Sequence, residues 1–229
     1  MKVLHLITAR AGSKGLPGKN IKTLGGKPLF MYSVDFAKKN MKKEDVLCIS
    51  TNDDELLEMA KQNGVDIPFK RPESLASDTA SSQDVINHAI QFYTKQGMSF
   101  DAVLLLQPTS PFRADEDYKE FMSSYSSDVD MVVSVKQSKE NPYFTLFEED
   151  EQGLLLKSKK GNFVRRQDCP DVYAYNGSMY LINIKSVENV SIGEFKRIKK
   201  VLMPDSRSVD IDTMADWVLA EYYLGNKMN

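Results

Sequence analysis

The chain has 229 residues, 41% of them hydrophobic and 27% charged, with 12 Gly and 9 Pro, a composition that excludes collagen-like, coiled-coil and disordered chains. Lys and Arg total 30 against 32 Asp and Glu, a formal charge of −2, so no general field draws in nucleic acid and any anion site must be local. No run approaches the ~20 apolar residues of a membrane span. The apolar run before Arg10 is too short for a secretory leader and the only cysteines are Cys48 and Cys169, which together point to a reducing cytoplasm with Cys48 as a buried thiol.

Residues 3–9, Val-Leu-His-Leu-Ile-Thr-Ala, are a nearly continuous apolar run that stops at a glycine-rich loop, the pattern of a strand buried on both faces. Pro28 then opens a helix with a stripe of Leu29, Phe30, Tyr32, Val34, Phe36 and Ala37 and a basic last turn. A strand over 45–51 follows, then a helix capped by Asn52 or Asp53 and stopped by Asn63-Gly64, then a short strand over 65–69. Ser82 caps and opens a helix to Lys95, and 101–107 is a second doubly buried strand. A helix over 115–125 and a strand over 131–135 continue the alternation.

At residue 136 the character changes. Residues 139–172 lose the long apolar runs and gain charges, prolines and glycines around short alternating pieces such as Phe144–Phe147 and Leu154–Leu156. This predicts a β-hairpin excursion that offers apolar surface to a partner subunit, with Glu148–Glu151 as its solvated tip. A strand over 178–184, a short strand over 209–212 and a terminal helix over 213–224 complete the chain. The expected fold is α/β, a Rossmann-like, mostly parallel sheet with helices on both faces in one domain over 1–229, with ligands beyond the carboxyl ends of the strands.

The loop Ala9–Asn20 packs three glycines, Gly12, Gly15 and Gly18, among the cations Arg10, Lys14 and Lys19 directly after a buried strand. Backbone N–H groups and positive charge gathered in this way suit phosphates. The spacing is neither that of a Walker A loop, whose hydroxyl is missing after Lys19, nor that of GxGxxG. At the other end of the chain, Asp210 and Asp212 stand two apart on the predicted strand, which turns both carboxylates to one face, a geometry suited to Mg²⁺ bridging to phosphate oxygens. Asp212 also stands where a cap for the terminal helix would. His5 and His88 are isolated from any other metal ligand in the sequence and read as structural.

The loop Ala9–Asn20 closely resembles the signature loop of the acylneuraminate cytidylyltransferases, the CMP-sialic acid synthetases. Further matches follow in order: Arg71–Ser82, Leu105–Arg113, Arg166-Gln167 with Pro170, Asn176-Gly177 with Tyr180, and Asp210–Thr213. The resemblance implies a nucleotide-diphospho-sugar transferase type of fold and an enzyme that joins CTP to a nonulosonic acid for surface glycan biosynthesis. The anomeric hydroxyl attacks the α-phosphate and pyrophosphate leaves, with Mg²⁺ as cofactor and a homodimer formed through 139–172. It implies Arg10, Lys19 and Asp212 as catalytic residues and Arg10, Gly12, Ser13, Lys14, Asn20, Arg71 and Ser82 around the nucleotide. Gln107, Arg166, Asn176 and Tyr180 would face the acidic nine-carbon sugar, and Asp210 and Asp212 would hold the metal.

Three departures fall on the sugar side or the hairpin. Ala174-Tyr175 replaces an Arg-Pro before Asn176-Gly177, Phe144 stands where a lysine offered to a neighbouring subunit is expected, and Gly193-Glu194 replaces an aromatic pair. They imply a related acid such as legionaminic or ketodeoxynonulosonic acid in place of N-acetylneuraminate. The alternatives are an octulosonic acid, a nucleotide-sugar-dependent glycosyltransferase, and a nucleotide-binding module without turnover.

Overall fold

The computed structural model describes residues 1–12, 15–77 and 79–226. In chain order the elements are β1 (Val3–Thr8), β2 (Thr23–Leu24), β3 (Lys27–Pro28), α1 (Leu29–Asn40), β4 (Val46–Ser50), α2 (Asp54–Gln62), α3 (Ser82–Thr94), β5 (Ala102–Leu106), α4 (Asp115–Ser124), β6 (Met131–Gln137), β7 (Phe147–Glu149), β8 (Leu155–Lys157), β9 (Tyr173–Asn183), α5 (Ile184–Asn189), β10 (Ile198–Leu202) and α6 (Met214–Gly225). Six strands make one sheet in the order β10-β6-β9-β5-β1-β4. Only β9 runs antiparallel to its neighbours, so the sheet is mostly parallel as expected.

The continuous apolar runs of β1 and β5 have a direct physical reading. Val3, Ile7, Ala102, Leu104 and Leu106 face a core with Phe30, Val34, Leu56 and Phe121 from α1, α2 and α4. Leu4, Leu6, Val103 and Leu105 face the opposite core with Ile86, Ala89 and Ile90 from α3 and Val187 from α5. Successive strand residues point to opposite faces, so a strand covered on both sides has no polar positions left. A third, smaller cluster lies beyond the carboxyl edge and packs Leu16 of the glycine-rich loop, Leu24 and Leu29 against Val209, Ile211 and Trp217. It glues the loop to the chain's last segment.

Four expectations need correction. Residues 65–69 form no strand: Pro68 lacks the N–H a ladder needs, although Val65, Ile67 and Phe69 still pack inward. Residues 209–212 are likewise irregular, held by one ladder-like bond from Ile211 N to Thr109 O at 2.8 Å. The strand expected over 178–184 starts at Tyr173 and ends at Asn183, whose side chain caps α5 by accepting from Lys185 N at 3.0 Å. The ladder shift between Val133 and Val135 accommodates Asn176-Gly177 within β9. Finally, Ser81 and not Ser82 caps α3, in a capping box with Asp84.

The excursion over 139–172 does hold a hairpin, β7 paired with β8 in antiparallel register. Leu154, Leu155 and Leu156 are 59%, 67% and 56% exposed on it, apolar surface left mostly open by the other described residues. Glu148, Glu149 and Glu151 are exposed at its tip as expected. Both cysteines are free, with Cys48 buried. No helix among the described residues is long and apolar enough to cross a membrane.

Candidate active site

The glycine-rich loop leaves β1 at the carboxyl edge of the sheet and is tethered at once. Ala9 N donates to Ser50 O at 3.1 Å, Ala11 N to Asn52 Oδ1 at 2.9 Å, and Asn20 Nδ2 back to Arg10 O at 3.2 Å. Asn20, expected at the nucleotide, is thus 7% exposed and fixes the backbone of Arg10. Lys19 reaches across to the other end of the chain, where Nζ donates to Ile211 O at 2.8 Å and Asp212 Oδ1 at 2.6 Å. Gly15 makes this approach possible, because a Cβ there would overlap the Asp212 carbonyl.

These residues border a cleft of about 430 Å³ whose lining includes Arg10, Lys19, Asn20, Arg71, Ser82, Gln107 and Asp212. The sequence scattered them over some two hundred positions, and the carboxyl ends of β1, β4 and β5 bring them together. Arg71 is 4% exposed, its Nε donating to Ser50 Oγ at 2.9 Å and its Nη2 to the Ser50 carbonyl. Burial, and then the nearby Arg10 charge, pulls the Arg71 guanidinium down to about 10, so it stays cationic at neutral pH. Two like charges brought together at this cost favour a polyanion between them. Ser82 lines the cleft from the first turn of α3 with its side chain left over from capping. Gly12 sits in the loop with φ +75° but does not border the cleft, and Ser13 and Lys14 lie outside the described residues.

The two aspartates are not side by side on a strand. Asp212 borders the cleft, 69% exposed at its side chain, whereas Asp210 borders an adjoining cavity of about 550 Å³. Asp210 rests on Gly177, where a Cβ would come within 2.7 Å of Oδ2, and its Oδ1 is buried with no hydrogen-bond partner. Burial raises the Asp210 carboxyl above its ordinary value, a hydrogen bond from Thr109 works against the rise, and Asp212 adds to it. The alternative role for Asp212, as cap of the terminal helix, belongs to Thr213, in a capping box with Asp216.

On the sugar side the expected residues divide. Gln107 is half-buried at the end of β5 and borders the nucleotide cleft. Asn176 borders the second cavity, yet its amide is spent inside the protein, donating to Ser208 Oγ at 2.9 Å and accepting from Ser178 N at 3.2 Å. Arg166 lies beyond it, in a further hollow that shares Gln137, Ser138, Lys139 and Asp205 with the second cavity. Tyr180 borders neither cavity and packs with the α3 core against Tyr175. Phe195, close to the missing aromatic pair, is buried in the same core.

Sequence reasoning passed over Thr109, which borders the cleft and acts on the Asp210 carboxyl, and Lys136. Lys136 lies opposite Ala174 in the β6–β9 ladder, borders the second cavity, and makes no ion pair among the described residues. Cross-strand neighbours share a face, so Lys136 places a positive charge beside Ala174. Its place at the polar end of an apolar run was the available clue, but only the register pairs it with Ala174.

A cytidylyltransferase family model matches residues 4–200. The chain is 36% identical over 227 residues to a CMP-N,N'-diacetyllegionaminic acid synthase of Legionella pneumophila, spanning 96% of this chain and 95% of that protein. It is 33% identical over 223 residues to an N-acylneuraminate cytidylyltransferase of Streptococcus agalactiae, spanning 95% of this chain and 52% of that longer protein. Among solved structures, a CMP:2-keto-3-deoxy-manno-octonic acid synthetase complexed with CTP superposes with a TM-score of 0.72 over 100% of both chains. At 15% identity, that likeness establishes the fold alone.

Proposed function

Because the chain belongs to the cytidylyltransferase family, we propose that it couples CTP to a nonulosonic acid of the legionaminic or sialic type, giving the CMP-sugar and pyrophosphate. The observation that supports this most is the convergence of Arg10, Arg71, Lys19 and Asp212 on one cleft at the carboxyl edge of the sheet. Nucleotidyl transfer needs a held triphosphate, an aligned acceptor and cancellation of developing negative charge. The sugar's anomeric hydroxyl oxygen bonds to the α-phosphorus, the bond to the β-phosphate breaks, the hydroxyl proton is given up and pyrophosphate departs. Arg10 and Arg71 hold the phosphates, with Ser13, Lys14 and Gly12 in the same loop, while Asn20 keeps Arg10 in place and Ser82 faces the nucleotide. Lys19 stands between the triphosphate and Asp212.

Magnesium suits the donors present. Asp210 Oδ1 is a buried carboxylate oxygen without a partner and Asp212 is an exposed one, and Mg²⁺ takes one or two carboxylates with phosphate oxygens and water. Bound by these two residues, the ion would supply positive charge to the phosphate oxygens. The acid sugar lies from Gln107 toward the second cavity, where Lys136 meets its carboxylate and Asn176 and Arg166 flank the wall; Tyr180 backs the wall from the core. Residues 1–229 act as one nucleotidyltransferase domain in which 139–172 is the dimerisation insertion.

The deciding experiment is pyrophosphate release from CTP against a panel of nonulosonic and octulosonic acids with Mg²⁺. Turnover with a nine-carbon acid supports the reading; turnover restricted to an octulosonic acid, or none with folded protein, refutes it. The dimer is tested by light scattering. Leu155→Glu on the exposed hairpin is expected to convert a dimer to a monomer, and a wild-type monomer at micromolar concentration ends that part of the proposal.

A further inference from the structure

Arg113 is a half-buried cation that the chemistry above leaves unused. It closes the run Gln107–Arg113 after β5, and its guanidinium reaches three elements. Nη1 donates to Ser33 Oγ on α1 at 3.0 Å, and Nη2 donates to the carbonyls of Gln107 at 2.5 Å and Ser178 at 2.9 Å. The Phe36 ring covers it, 5.8 Å from centroid to guanidinium carbon. Its Nε is buried without a partner, and Arg113 forms no ion pair among the described residues. The Asp117 and Asp210 carboxylates act on it only from beyond ion-pair distance, and withdrawing a charge even partly from water is costly, so a guanidinium whose Nη2 donates to two carbonyls marks a place where the backbone has to be held.

That place is the floor of the site. Gln107 and Ser178 face each other across β5 and β9, where Gln107 N donates to Ser178 O at 3.3 Å. One residue before Ser178 is Gly177, whose α-carbon supports the Asp210 carboxylate. Ser110 Oγ, from the same run as Arg113, donates to Asn176 O at 3.4 Å. The guanidinium therefore ties the strand end that carries the Gln107 side chain to the strand on which Asp210 rests.

We propose that Arg113 is a positioning residue for the transfer step, its planar fork fixing Gln107 and Gly177 relative to each other. The inference rests on the cytidylyl-transfer reading. Lysine would keep the charge but, as a point donor, cannot bridge two carbonyls and a hydroxyl in one plane.

The test compares wild type, Arg113→Lys and Arg113→Met for kcat, KM for CTP, the half-saturating Mg²⁺ concentration, and amide exchange at Gln107. In Arg113→Lys the expected result is a fall in kcat of about tenfold or more with KM for CTP within twofold, a higher half-saturating Mg²⁺ and faster exchange at Gln107. Arg113→Met extends the series if it folds, and the lysine variant decides if it does not. A lower Tm with kcat per folded molecule and Mg²⁺ dependence unchanged reduces Arg113 to a fold-stabilising residue and overturns the proposal. Unchanged exchange at Gln107 overturns it too, a readout that needs no turnover. Silence of the wild type on the acid panel is a different failure, that of the reaction, and leaves the exchange measurement to judge the pinning.

Discussion

Lys19 and Asp212 are 193 positions apart in sequence and meet with 2.6 Å between Nζ and Oδ1. The pair closes the cleft by joining the loop after the first strand to the segment before the last helix. Lys19 is 11% exposed at its side chain and Asp212 69%, so the lysine is held and the carboxylate faces the site. Lys19→Met is expected to lower kcat on the order of 10²–10³-fold, as for loss of one preorganised charge. Asp212→Asn should lose turnover while retaining CTP binding. Unchanged pyrophosphate release in either variant would show that the pair is only structural.

Gly15 and Gly177 each leave room for one of the aspartates. Gly177→Ala must pay about 1–2 kcal/mol for an L-residue at φ +73° and also displaces the Asp210 carboxylate. Because misplacement of a catalytic group by about 1 Å can cost on the order of 100-fold, kcat should fall much further than stability does. Urea unfolding beside steady-state kinetics checks this: a kcat within threefold of wild type contradicts the role given to Asp210.

Lys136 gives a substrate-specific expectation. Its truncation in Lys136→Ala removes one charge-assisted contact of about 1.5–3 kcal/mol, so KM for the acid sugar should rise at least tenfold while KM for CTP stays within twofold. Equal effects on both constants would move the sugar away from the second cavity.

His5 sets a pH dependence far from the site. Burial, opposed by the Asp45 charge, pulls its imidazole down to about 4. The fold therefore holds it neutral while the unfolded chain protonates near 6.5, and a group lowered in this way contributes stability above 6.5 that is lost as the pH falls toward 4. The loss by pH 4 amounts to about 3 kcal/mol. His88, lowered mainly by burial, acts in the same direction. Denaturant midpoints between pH 7 and 5 should fall for wild type and flatten in His5→Leu; parallel slopes would remove the imidazole from the account.

The doubly buried strands and the cationic loop were legible because each is a local pattern. Non-local facts were not. The antiparallel β9 was obscured because Asn176-Gly177, with a positive φ at the glycine, resembles a turn and sits inside the strand. Residues 198–202 escaped because an edge strand carrying Lys199 and Lys200 lacks an apolar run. Asp210 and Asp212 were placed together from a strand period the segment does not have, and the structure sets them on neighbouring cavities. Asn176 and Tyr180 have residue types suited to a sugar, yet their surroundings engage one in internal hydrogen bonds and pack the other in the core. The charge that stands beside Ala174 lies on another strand and is visible only once the ladder aligns Lys136 with it.

The small cluster of Leu16, Leu24, Leu29, Ile211 and Trp217 implies an order of failure. It holds the phosphate-facing loop to the aspartates with far less apolar mass than the two cores flanking the sheet. Local openings follow local burial, so warming should release the terminal helix and its aspartates while the sheet is still intact. Catalysis would then be extinguished below the temperature at which the sheet unfolds, and recover on cooling without refolding of the sheet. The site is thus a clasp between distant stretches of chain, and its grip should have its own melting point.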